Sequence, residues 1–60
     1  MEQEAQVAAF WYRSAANRGH VAAMRALSEI LLSGIGVEKD EKEAAEWLAK
    51  ADAAAKGRSP

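Results

Sequence analysis

Two stretches decide the fold: Ala8-Ala9-Phe10-Trp11-Tyr12-Arg13-Ser14-Ala15, and Ala44-Ala45-Glu46-Trp47-Leu48-Ala49-Lys50-Ala51, thirty-six residues later. Superimposed at that offset, Ala8 falls on Ala44, Ala9 on Ala45, Trp11 on Trp47 and Ala15 on Ala51. Tyr12 falls on Leu48 and Glu4 on Asp40. Alanine matches cost little in a chain with 15 alanines among 60 residues, but these are its only two tryptophans. Self-similarity at such a period is the signature of a helical solenoid, whose units stack into one continuous core.

Outward from these stretches, the apolar spacing predicts three helices. Over about 4–18, Ala5, Ala8, Ala9, Tyr12, Ala15 and Ala16 recur three and four apart and form one stripe. Over about 20–33, Ala23, Met24, Leu27, Ile30 and Leu31 make a main face that Val21 and Leu32 widen. So broad an apolar surface belongs to a middle helix covered on more than one side. Over about 41–56, Ala44, Trp47, Leu48, Ala51 and Ala55 form the buried stripe. Glycines punctuate the three: Gly19 and Gly34 end the first two helices, Gly36 lets the intervening loop reverse, and Gly57 closes the third. Asp40 caps the third helix, with Glu43 completing a capping-box-like pair. Glu46–Lys50 and Asp52–Lys56 place acid before base at i,i+4, as Arg25 and Glu29 place opposite charges four apart. Residues 58–60 read as a frayed tail. No alternating β-branched run appears, so the class is all-α, with antiparallel neighbours implied by short connections.

Composition excludes several functions. Without cysteine there are no disulfides and no thiolate zinc site, and the single histidine, His20, is no metal cluster. The net charge of −1 is spread without a basic stripe, which argues against nucleic acid or an anionic membrane. No apolar run approaches the ~20 residues of a membrane span. The N-terminus is acidic and lacks an apolar segment, so the expected location is cytoplasmic if Met1 is the native start, and open otherwise. Glu41, Glu43 and Glu46 resemble a carboxylate cluster, but they lie at a helix start beside Lys42 and Lys50, where acids favour the dipole. Gly34-x-Gly36 is too short to cradle a phosphate. No serine has a nucleophile context. The expectation is no enzyme, no cofactor and no metal.

The segment Trp11-Tyr12-x-x-Ala15-Ala16-x-x-Gly19-His20 is similar to the corresponding part of Sel-one-like repeats. Leu27, then Gly34-x-Gly36-Val37-x-Lys39-Asp40, then Ala44-x-x-Trp47-Leu48-x-Lys50-Ala51 continue the pattern in order, over residues 4–57. The resemblance implies antiparallel helix pairs of an α-solenoid. The register gives about one and a half repeats: a second helix, then a first helix with its loop, then another second helix. It also marks Trp11, Tyr12, Gly19, Leu27, Gly34, Gly36, Asp40, Trp47 and Leu48 as structural repeat positions. Ser28 stands where the family often has glycine, Leu31 where tyrosine is frequent, and Met24 where glutamine is. Two extra residues precede Gly57. The implied role is an adaptor binding another protein or itself. A non-catalytic regulatory subunit or a fragment of a larger repeat protein is the alternative.

Both tryptophans are expected to pack, being repeat-equivalent. Yet the first helix is apolar on a second side, where Val7, Phe10 and Ser14 lie with Trp11 beside them. The third helix carries Glu43, Glu46 and Lys50 at the equivalent places. Val7, Phe10, Trp11 and Ser14 are therefore the candidate partner-binding residues. Two occupants suit them: a second copy in a two-fold homodimer, or a preceding repeat.

Overall fold

The computed structural model describes residues 2–58. It has three helices and, among those residues, no strand: α1 (Glu2–Asn17), α2 (Val21–Ser33) and α3 (Glu41–Arg58). α2 packs against both α1 and α3. Its Ala23, Met24, Leu27 and Leu31 join Ala16 of α1 and Ala44, Trp47 and Ala51 of α3 in one core. Small side chains dominate on the outer helices, so both can approach α2 closely, and the middle helix supplies the bulk. The Cα trace extends 41 × 19 × 12 Å.

The two turns use glycine differently. After α1, the Gly19 N–H donates to the Ala16 carbonyl at 3.0 Å and the His20 N–H to the Ala15 carbonyl at 3.2 Å. These are the paired bonds of a Schellman stop, which requires the positive φ of Gly19, 95°. His20 then stands in the N-cap position of α2 with extended backbone and no side-chain capping bond. Gly34 ends α2 in the left-handed conformation, its N–H bonded to the Ile30 carbonyl. Gly36, also at positive φ, does something the sequence did not disclose. A Cβ there would lie 2.6 Å from the backbone carbon and oxygen of Ala5. The first turns of α1 rest directly on this loop, a contact between residues 31 apart that no local pattern encodes.

Several expectations need correction. Gly57 does not close α3, which runs on through Arg58; only Ser59 and Pro60 of the expected tail lie outside the described residues. Asp40 caps α3, accepting a bond from the Glu43 N–H at 2.9 Å. The reciprocal half of the capping box is absent, because the Asp40 N–H donates to the Leu31 carbonyl and the Glu43 carboxylate turns elsewhere. The i,i+4 pairs give way to contacts between helices or with a ring: Asp52 faces Arg25 of α2 at 3.7 Å, and Lys50 lies over the Trp47 ring at 4.6 Å. Leu48 is 44% exposed rather than buried. It lies about 100° around the helix from Trp47, beyond the reach of α2, and its repeat equivalent Tyr12 is exposed in the same way.

Candidate protein-interaction surface

The inner side of α1 carries the buried Ala9 and Ala16, and Ala16 joins the core formed with α2. Around the rest of the helix an apolar arc is left open. Val7 is 49% exposed, Phe10 66% and Trp11 65%, and Tyr12 lies at the edge of the arc nearest α2. Phe10 and Trp11 meet edge to face, ring centroids 5.8 Å apart, a favoured aromatic geometry that holds the two rings as one projecting ridge. Ser14 is half-buried beside them. Between the ridge and the start of α2 runs an open, mostly apolar groove lined by Trp11, Tyr12, Ala15, Ala22, Ala23 and Ala26.

The expectation that Trp11 packs within the chain is therefore overturned, while Trp47, 7% exposed, lies in the core. The cause is positional. α3 turns its Ala44–Trp47–Ala51 stripe into the core with α2, whereas α1 joins that core through Ala16, on a different side where Ala9 is also buried. The stripe of α1 equivalent to that of α3, Ala8–Trp11–Ala15, is covered only in part: Ala15 packs against the core and Ala8 is half-buried, but Trp11 stands in solvent. Conversely, the α3 residues equivalent to Ala9 and Ala16 are Ala45 and Asp52, both exposed. One outer helix presents an apolar free side, the other a polar one.

A polar cluster links the two outer helices. One carboxylate oxygen of Glu43 accepts from the Arg13 guanidinium of α1 at 2.6 Å and from the Trp47 Nε1–H at 3.0 Å. These bonds, Arg13 first, hold the Glu43 carboxyl below its ordinary range, with Lys50 assisting through its charge. Through these two bonds the carboxylate joins Arg13 of α1 to Trp47 of α3. The sequence reading placed Glu43 on a solvated face; the pairing with Arg13 was missed because it joins residues 30 apart on separate helices.

Among the described residues, no group of three or more His, Asp or Glu side chains could hold a metal, and no helix is long and apolar enough to cross a membrane. The family model described as Sel1 repeat matches residues 1–20 and again 21–51. The first match holds α1 alone, and the second holds α2, the loop and α3 up to Ala51. The last turns of α3 lie beyond it, where the two extra residues precede Gly57. No curated protein and no solved structure matches the chain.

Proposed function

The chain belongs to the Sel1 repeat family, whose helical solenoid repeats generally mediate protein–protein interaction, and from this we propose that it is a non-catalytic scaffold that associates with a second copy of itself through the outer side of α1. The observation that carries the reading is the contrast between repeat-equivalent positions. Val7, Phe10 and Trp11 are exposed on α1, where α3 has Glu43, Glu46 and the buried Trp47. Exposed aromatics in a contiguous ridge are characteristic of interaction surfaces rather than of solvated helix faces. A two-fold interface lets one such patch cover its own symmetry mate.

The area sets the strength. Phe10, Trp11 and Tyr12 together leave on the order of 350 Å² of aromatic surface open on each chain. Even with flanking side chains this approaches only the lower end of the ~1,200–2,000 Å² of a stable interface. The association is accordingly weak, with Kd on the order of micromolar or above. Phe10→Glu, which copies the residue α3 carries at this position, converts a dimer into a folded but less stable monomer. Sedimentation of the parent and this variant over a concentration series is the test. A parent that stays monomeric and stable at every concentration overturns the reading.

A further inference from the structure

The open side of α1 carries a charge pattern as well as an apolar one. Glu4, Val7, Trp11, Ser14 and Arg18 follow one another at intervals of three, four, three and four, the spacing of a seam between paired helices. The seam begins with an acid, is apolar about its centre, and ends with a base in the turn after Asn17. Glu4 and Arg18 are both exposed, and neither is in an ion pair with another described residue. This contrasts with Arg13, which is held by Glu43, and Arg25, which faces Asp52.

We propose that the second copy docks antiparallel along α1, on a two-fold axis through Trp11, with Glu4 of each chain facing Arg18 of the other; this arrangement rests on the self-association reading above. Glu4 and Arg18 each lie seven residues from Trp11, so the axis brings them opposite one another at both ends of the seam, ~10 Å of helix rise from its centre. The same axis sets the two Trp11 side chains opposite one another across the seam. Ala8 and Ala15, about one turn to either side of Trp11, leave room for the opposing ring. A parallel pairing would instead oppose Glu4 to Glu4 and Arg18 to Arg18. Charge complementarity therefore selects the antiparallel partner.

The test is reversal of charge at one end or both. Sedimentation at low salt compares the parent with Glu4→Arg, Arg18→Glu and the double variant carrying both substitutions. In the antiparallel dimer each single variant opposes like charges at both ends. Kd then rises about tenfold, an effect that salt compresses because both groups are exposed. The double variant restores two attractive pairs and returns Kd to within about twofold of the parent. A parent that dimerises, with single variants that match it, overturns the antiparallel register while leaving self-association standing. A parent that is monomeric throughout overturns both. Circular dichroism of every variant confirms that helix content is kept, as expected for exposed positions.

Discussion

Trp11 and Trp47 occupy the same position of two successive repeat helices, yet one lies in solvent and the other in the core. The helices around them differ little in composition at their alanine positions; what differs is which side each turns toward α2. α3 closes its tryptophan side onto the middle helix and then anchors it. Trp47 donates to Glu43, Glu43 also accepts from Arg13, and Lys50 covers the ring. α1 buries Ala9 and Ala16, the latter in the core with α2, and leaves Phe10 and Trp11 outside. A repeat position thus specifies a direction around the helix, and burial follows only if a neighbour stands in that direction.

The largest effect should come from removing the buried member of the pair. Trp47→Ala deletes a core aromatic and leaves Glu43 with one donor fewer, a loss of ~3–5 kcal/mol that a domain of this size can scarcely absorb. Thermal and urea melts followed by circular dichroism should show the chain largely unfolded. Trp11→Ala measured at concentrations below self-association should shift stability by only about 0.5 kcal/mol. Equal losses at the two positions would break the comparison.

The contact of α1 with the loop comes next. Gly36→Ala combines a positive φ with a Cβ driven into the Ala5 backbone, which a rigid helix cannot yield without moving; about 2–4 kcal/mol should be lost. Gly19→Ala meets no neighbour and incurs the backbone strain alone, about 1 kcal/mol. Comparing the two variants by urea denaturation separates docking of α1 from simple turn chemistry. If they are equally destabilised, α1 does not rest on the loop.

A smaller effect links the helices through Glu43. Its carboxyl is lowered from the ordinary 4.5, chiefly by the bond from Arg13. The stability this contributes is complete above the unfolded value and is lost as pH falls through the lower folded one. Glu43→Gln should therefore be less stable than the parent by about 1 kcal/mol at pH 7, with the gap closing below pH ~4 as the parent's carboxylate protonates. Denaturation midpoints at pH 7, 5 and 3 test this. A gap that is constant with pH would mean that Trp47 and Arg13 do not depend on the ionised carboxylate.

Much of this was legible in the chain itself. The three helices follow from apolar spacing, their ends from Gly19 and Gly34, and the cap on α3 from Asp40, because all of these depend on neighbours within a few residues. The open patch around Val7 and Phe10 was also visible, through their contrast with Glu43 and Glu46 of the equivalent helix; the exposure of Trp11 was not, because its repeat equivalent Trp47 pointed to packing. The extent of α3 was misjudged at Gly57, since a glycine permits a helix to stop but does not compel it. Leu48 was misjudged because an apolar side chain at the flank of a stripe is buried only when a second helix covers that flank.

The sequence by itself determined that this protein is an all-α repeat of about one and a half units, because 3.6-residue periodicity, glycine stops and a repeated Trp-centred pattern are properties of the chain alone. Only the tertiary structure decided that Trp47 is core and Trp11 is surface, that Gly36 carries the start of α1, and that Glu43 joins Arg13 to Trp47. Each of these depends on the direction in which one helix meets another. Direction is set by the packing of α1 and α3 on α2, which local spacing along either helix does not specify.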